Sequence, residues 1–575
     1  MKCMKKAAAA MSAAMITASA AAVPNVSAIE RWEPRYIDSC FSEDGRWVYM
    51  VSDETEEYEK HICIIEYYGE EADVVIPAEI DGLPVKSLSA CFYTQAFDPS
   101  YQDDPENAPR GLRSLVIPAS VTDIDMPLRD YPTLKSIVFE GDEARFHSMS
   151  EFENTLIEEI ELPKPLPDTY CYRGLSLANN PKLRKVAYKK LDDEFLISNS
   201  IFENCPQLCE LVIPENCTKL TFGGNSCTNT GFTDLDLTQD INLYPSAFSR
   251  CEKLRSVTFH GRTNIHSAAF GECHALSNVT FDQYPDLFPN AFNNCTSLEN
   301  IDYPTDTQIN GSGFSNCPNL RSINSEPVFD ESTGDFYPKM KELVMLDFTT
   351  ADNVGFINDY LNAKIKKFVA EEITPDMTDI EKLRVIHDWV CANTEYEPSA
   401  LHYKDLSNHV DSSVFLSGQS VCEGYARAMN LMCHAAGLES CYVISSDHAW
   451  NIVKIGGHWL HTDSTWDDVN QNTDWFLHSD SELKAEGGSH KRWMLTCPSE
   501  LHSFQTDTLP ESDCPMGDVN TDSKVGAADL VTFSRYLLGA QDISADDIVL
   551  ADLNFDGSYD CFDMVRLRKK AVSGS

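Results

Sequence analysis

"FGECHALSNVTFDQYPDLFPNAFNNCTSLENI", residues 270–301, says the same thing twice. Phe270, Cys273, Leu276 and Val279 return as Phe292, Cys295, Leu298 and Ile301, 22 residues later. The phrase extends both ways, to Phe314, Cys317, Leu320 and Ile323, and back to Phe248, Cys251, Leu254 and Val257. An earlier copy is Phe202, Cys205, Leu208 and Leu211. Weaker copies stand at Leu112/Leu115, Leu134/Ile137, Ile157/Ile160, Leu183/Val186 and Phe232/Leu235. A period in the low twenties with short apolar strands predicts a solenoid, because one coil cannot bury its own apolar face and stacked coils can. A cysteine fixed at one repeat position then stacks on its equivalents. Cys205, Cys251, Cys273, Cys295 and Cys317 therefore read as small buried hydrophobes, not as disulfide staples.

These units resemble the bacterial surface leucine-rich repeats of the BspA-like type over roughly residues 74–325. The resemblance implies binding of a protein or surface ligand and leaves its identity open. Residues 29–73 are expected to cap the solenoid, and residues 74–326 to form it.

Upstream lies a secretory signal. Lys2, Lys5 and Lys6 precede an Ala-rich apolar run from Ala7 to Val23, and Val26-Ser27-Ala28 offers a small-residue cleavage site. The run is too short for a membrane span, so residues 1–28 read as a signal peptide. Cleavage takes the net charge from -45 to -48. So acidic a chain is not drawn to nucleic acid or anionic membranes, and no later stretch is apolar enough to span a bilayer. The expected address is secreted and extracellular, where disulfides are chemically possible.

The period ends after residue 325, and helical pattern begins near Tyr337. Thr378 and Glu381 make a capping box ahead of the apolar stripe Ile380, Leu383, Ile386, Trp389 and Val390. In "GQSVCEGYARAMN", residues 418–430, Cys422 opens another helix. The helix N-terminus favours thiolate, the nucleophilic form of cysteine. Gly418 and Gly424 are expected to let backbone approach a substrate there. Gly456-Gly457 suits a two-residue hairpin turn. With that turn, Asp463 falls opposite Trp450, and His448 lies diagonal to Asp463 on the same face. A nucleophile, a base and an orienter are thus available, although a buried cysteine beside a surface His–Asp pair would show the same spacing. "GQSVCEGYARAMNLMCHAAGL", "DHAWNIVKIGGHWLHTD" and "STWDD" resemble the transglutaminase-like superfamily of papain-fold cysteine enzymes. The resemblance implies an α+β catalytic domain within residues 327–510 and catalytic roles for Cys422, His448 and Asp463, with no cofactor for catalysis. Implied substrates are protein or peptide amides, and hydrolysis, deamidation and cross-linking all stay open.

Two segments near the C-terminus repeat after 34 residues: "DVNTDSKVGAAD" and "DLNFDGSYDCFD". Oxygen-bearing side chains stand at positions 1, 3, 5 and 12: Asp518, Asn520, Asp522 and Asp529, then Asp552, Asn554, Asp556 and Asp563. Lys524 and Ser558 occupy position 7, where a backbone carbonyl serves Ca2+. The duplication resembles a type I dockerin over residues 515–575. It implies a small all-α module with paired EF-hand-like loops, two Ca2+ ions, and docking onto a cohesin of a cellulosome scaffold. Ala527, Ala528, Cys561 and Phe562 fall at its partner-reading positions. Position 6 is Gly557 in the second loop and Ser523 in the first, so the first is expected to bind Ca2+ less tightly.

The expected fold is therefore multidomain: a leucine-rich-repeat β-solenoid, an α+β transglutaminase-like domain, then the small all-α module. The expected function is a secreted, scaffold-docked cysteine enzyme. Two rival readings keep the same architecture: a catalytically inactive adhesion protein, and an accessory to polysaccharide degradation.

Overall fold

A computed structural model of the chain describes residues 39–53, 59–69, 71–89, 111–129, 131–147, 151–166, 174–306, 308–349, 351–397, 409–486, 490 and 512–573. The signal-peptide reading of residues 1–28 lies outside them. The chain divides into two compact units: one runs to Leu298 and adds Asp302–Pro304, and the other comprises Glu299–Ile301 and Thr305–Ser575.

The first unit is the solenoid. Strands Asp234–Leu237, Ser256–Phe259 and Asn278–Phe281 pair in parallel, with Leu235, Val257 and Val279 in register. A second ladder joins Glu194–Ile197, Lys219–Phe222, Asp240–Leu243, Thr263–Ile265 and Pro285–Leu287. Side chains alternate in and out, as a period of two requires, so Ser256–Phe259 and Asn278–Phe281 each bury every second residue. Phe248, Phe270 and Phe292 stack with ring centroids 5.5 and 4.9 Å apart. At the start, Trp47–Ser52 pairs antiparallel with His61–Tyr67, which turns parallel against Leu83–Ser89.

The repeat cysteines are buried free thiols. Each also closes a backbone bond: Cys205 Sγ donates to Leu177 O at 3.2 Å, Cys273 Sγ to Phe248 O at 3.2 Å, and Cys295 Sγ to Phe270 O at 3.2 Å. A thiol is apolar enough for the core and still satisfies a carbonyl of the preceding coil, which alanine would not. The residue ahead of each thiol is left-handed: Asn204, Arg250, Glu272 and Asn294 have φ of 58, 58, 61 and 60°. Cys227 joins this buried set although the repeat phrase did not single it out.

The second unit opens on a coil that buries Phe314, Cys317, Leu320 and Ile323. Helix α1 (Pro338–Asp347) follows, then α2 (Gly355–Glu372), which starts on that coil. Gly355 N donates to Cys317 O at 3.2 Å, and a Cβ on Gly355 would stand 2.5 Å from Leu320 O. The expected capping box starts α3 (Asp379–Asn393), with both reciprocal bonds made. Next come α4 (Ser412–Leu416) and α5 (Cys422–Ala435). The sheet is an antiparallel run of β1 (Ser440–Ile444), β2 (Ala449–Ile455), β3 (His458–Thr462) and β4 (Phe476–His478). Leu383, Ile386 and Val390 of α3 meet Tyr425, Met429, Met432 and Cys433 of α5 and Val453, Ile455 and Leu460 of the sheet in one core.

That core continues into the C-terminal module. Met516 and Leu550 are buried in it, with Val549, Leu553 and Phe555 packed alongside. Phe555 meets Phe476 of β4 edge-on at 5.1 Å, His458 Nε2 reaches Asp547 at 2.9 Å, and Lys570 pairs with Glu482 of α7 (Asp480–Glu486) at 2.8 Å. The module's helices α8 (Ala527–Leu537), α9 (Ala545–Ile548) and α10 (Cys561–Ser573) surround a small core of Val519, Phe533, Ile548, Ala551 and Leu567.

Burial pushes the Cys205 and Cys433 thiols up to about 12, and those of Cys227 and Cys273 well above the ordinary range. Alkylation of the native protein at about pH 8 should therefore miss these four, and alkylation after denaturation should label them. Mass spectrometry of the two digests checks this. Phe270→Ala should destabilise the solenoid by about 3–5 kcal/mol, read as a lower denaturation midpoint.

Candidate active site

Cys422 is the first residue of α5 and is buried to 7% exposure. The turn Gly456-Gly457 forms as expected, pairing Ile455 with His458 and Asn451 with Thr462. The hairpin thereby delivers His448, just before β2, and Asp463, just after β3, to one place. His448 Nε2 lies 2.5 Å from Asp463 Oδ2. That bond leaves the other ring nitrogen open to the Cys422 thiol, which lies close enough to favour the charged imidazole. Asn451 fixes the approach of helix to sheet: its side-chain amide donates to Ala426 O at 2.8 Å across the α5–β2 interface. The hairpin thus joins His448 to Asp463 and sets the pair near the start of α5, where Cys422 stands.

Asp463 is held from every side. Its N–H donates to Trp475 O at 3.0 Å, and its Oδ1 caps α6 (Ser464–Asn470) by accepting from Trp466 N at 3.1 Å. Burial alone would raise this carboxyl, but the His448 charge and two imidazole contacts outweigh it and hold it down at about 2. Burial alone would pull the His448 imidazolium down. The Asp463 charge, its hydrogen bond and the Cys422 thiol overcome that and raise it to about 10.

The second imidazole on Asp463 belongs to His490, whose Nε2 stands 2.9 Å from the same Oδ2. His490 is fully buried, and its ring centroid lies 4.6 to 4.8 Å from those of Trp450, Trp466 and Trp475. Sequence reasoning missed it. It follows Asp463 by 27 residues in a Gly-Gly-Ser context without strand or helix pattern, so no local signal could announce it. Gly424 departs from expectation in a different way. A Cβ there would stand 2.0 Å from Ser420 Oγ and 2.9 Å from Val410 O, so the close approach is to the chain's own preceding segment, not to a substrate.

The two C-terminal loops share one internal wiring. Asp518 accepts from the N–H groups of Asp522 and Ser523, as Asp552 does from Asp556 and Gly557. Asp529 accepts from Asn520 and Gly526, as Asp563 does from Asn554 and Asp560. Burial and the neighbouring Asp563 outweigh the backbone donors and raise Asp552 to about 6. Asp518 is raised too, by burial and by Asp529 and Asp522. Carboxylates crowded against their own ionisation, with amide oxygens of Asn520 and Asn554 beside them, suit a hard cation. Ser523 and Gly557 both adopt the left-handed conformation, φ 65 and 76°, which strains only the serine. Ala527, Ala528, Cys561 and Phe562 are all exposed.

Comparison with known proteins follows this division. Residues 108–227 and 221–337 match the BspA type leucine rich repeat region, residues 367–464 the transglutaminase-like superfamily, and residues 516–570 the dockerin type I domain. The chain joins BspA-type repeats, a transglutaminase-like domain and a type I dockerin. The transglutaminase-like match contains Cys422, His448 and Asp463. Kyphoscoliosis peptidase of Homo sapiens is 25% identical over 200 residues, which cover 29% of this chain and 30% of that protein. The Mus musculus protein is 24% identical over 179 residues, covering 26% and 27%. The chain thus spans less than a third of the length of these curated relatives. A leucine rich cell surface protein from Faecalibacterium prausnitzii aligns with 16% identity and a TM-score of 0.26 over 51% of this chain and 97% of its own. A putative cysteine protease from Cytophaga hutchinsonii aligns with 22% identity and a TM-score of 0.16 over 18% and 37%. Type I dockerins bind calcium and are typical of extracellular cellulosome proteins. Among the described residues no helix is long and apolar enough to cross a membrane.

Two predictions follow from this geometry. His490→Phe should leave the fold intact, since the ring fills the same indole-lined space, but should slow Cys422-dependent labelling by a thiol reagent because Asp463 loses a donor. Comparing labelling rates at matched circular dichroism checks it. Chelation should lower the thermal midpoint of the dockerin, and Asp552→Ala with Asp556→Ala should remove the calcium response. Calorimetry with and without Ca2+ reads both.

Proposed function

We propose that the protein is a secreted, cellulosome-associated cysteine enzyme that transfers acyl groups of protein or peptide amides. The observation that carries this reading is one imidazole, His448, shared between a thiol at a helix N-terminus and a buried carboxylate. His448 holds the proton of Cys422, so that the pair reacts as thiolate and imidazolium. The thiolate sulfur bonds to the amide carbonyl carbon, and the backbone N–H of Cys422 is the nearest candidate donor for the oxyanion. His448 then returns the proton to the leaving nitrogen, and the C–N bond breaks to leave a thioester. Asp463 holds the imidazole in the tautomer and orientation this needs. Water on the thioester gives cleavage of a peptide or deamidation of a glutamine side chain, while an amine gives a cross-link.

The dockerin places this chemistry on a scaffold. Asp518, Asn520, Asp522 and Asp529, with the Lys524 carbonyl, would hold one Ca2+. Asp552, Asn554, Asp556 and Asp563, with the Ser558 carbonyl, would hold the other. Ala527, Ala528, Cys561 and Phe562 would face the cohesin. Phe562, 66% exposed, stands where the first copy has Ala528, while Val565 has its counterpart in the exposed Val531; the phenyl ring of the second copy alone favours one docking orientation. The repeats would bind a further ligand whose chemistry stays open.

Incubating the calcium-loaded protein with a proteome and an amine donor, then scoring products by mass spectrometry, tests the activity. Cleaved, deamidated or cross-linked peptides should appear, and should vanish with Cys422→Ser and with His448→Ala. Asp463→Asn should slow product formation by about a thousandfold or more. Products that persist with Cys422→Ser would refute the reading, and a wild type inert towards every substrate and thiol probe would favour an adhesion protein.

A further inference from the structure

His448, Asp463 and His490 have a second capacity. A ring nitrogen of His448, a ring nitrogen of His490 and an Asp463 oxygen all lie within 4.8 Å of one another, and all three residues are buried; the nitrogens that face Asp463 are the two Nε2 atoms. Two imidazoles and one carboxylate form the donor set that takes zinc-like divalent ions with a fourth position open. Hard ions such as Ca2+ have no preference for imidazole, so the dockerin's ion does not compete for it. We propose that these three residues form a site for a divalent transition metal of the zinc class, and that its occupation switches off the Cys422 thiol. The binding part stands on the donor geometry alone, while the control part rests on the function proposed above.

The fit is close. Ligand atoms around tetrahedral zinc, at about 2.0–2.1 Å from the ion, lie about 3.3 Å apart. The two imidazole contacts to Asp463 Oδ2 are now 2.5 and 2.9 Å and no two donor atoms are more than 4.8 Å apart, so the carboxylate must draw back and the imidazoles close in, each by roughly an ångström. Trp450, Trp466 and Trp475 surround His490 with apolar rings, which keep the site dry. The consequence for His448 follows from proton bookkeeping. A neutral ring that gives its Nε2 lone pair to the metal carries its hydrogen on Nδ1. That is the nitrogen left for Cys422, and once it bears a hydrogen it cannot accept the thiol proton. A charged ring releases one proton on binding and reaches the same state. The ion therefore blocks the base from the side opposite the thiol, with no sulfur ligand.

The test uses the full chain with the dockerin saturated in Ca2+, carrying Cys422→Ser. Titration with Co2+ should give the visible absorption of tetrahedral cobalt at one ion per chain, without a sulfur-to-cobalt charge-transfer band. Zn2+ should abolish it by displacement. His490→Phe and His490→Gln, each checked for an unchanged thermal midpoint, should weaken binding by about tenfold or more. In the chain with Cys422 intact, Zn2+ should slow labelling of Cys422 by a similar factor, and a zinc chelator should restore it. Absence of the cobalt spectrum, or affinity unchanged in both His490 variants, would leave a hydrogen-bond network only and overturn the site. A charge-transfer band that disappears with Cys422→Ser would place the ion on the thiol and overturn it equally. Cobalt bound as expected while zinc leaves labelling unchanged overturns the control. None of these readouts needs turnover, so they stay separate from the proteome experiment.

Discussion

One buried negative charge organises the second unit. Asp463 is 1% exposed and sits where the hairpin ends and α6 begins. A carboxylate in such a place is affordable only with donors on each oxygen. It has them in the Trp466 N–H, the His448 ring and the His490 ring. Those donors in turn determine what surrounds them. Trp466 lies in the first turn of α6, whose Asp467 binds His387 of α3 at 3.1 Å, which ties the sheet to the helical layer. Trp475, whose carbonyl takes the Asp463 N–H, has its own N–H on Asp467 at 2.9 Å and so fixes the entry to β4. Removing the charge would leave several polar groups without partners at once, not a single bond.

What the sequence made legible was whatever repeats or turns tightly. The solenoid was readable because its residues recur at a fixed interval, and recurrence survives without knowledge of contacts. The hairpin was readable because Gly456-Gly457 fixes a register, and a register carries side-chain pairing across to Asp463. The Thr378–Glu381 box was readable as a local rule. His490 was not, since it meets Asp463 from 27 residues further on and no periodicity leads to it. Gly424 was misread for a related reason. A glycine advertises close approach but not what approaches, and here Ser420 and Val410 do. The seat of the dockerin on the core of the transglutaminase-like domain was also invisible, because Phe555 lies inside a loop read for its oxygen ligands and not for its ring.

The cysteines show how one residue type serves several physical ends in one chain. In the solenoid the thiol is a packing group that also satisfies a carbonyl. Cys433 is core in α5, and Cys422, eleven positions earlier on the same helix, meets a charged imidazole. Burial makes the first kinds inert. The contrast lies in the partner each thiol meets, so composition could not have divided them.

Phe555 against Phe476, with Met516 and Leu550 sunk in the core of the transglutaminase-like domain, bears on mechanics. A module on a loose tether lets its cargo swing through a wide volume, with orientation averaged away. Here the cargo is bolted to its own anchor. Whatever grips the exposed face of α10 also sets the compass bearing of the transglutaminase-like domain, and a load applied at the anchor reaches β4, the strand next to the one that leads into Asp463, without slack to absorb it.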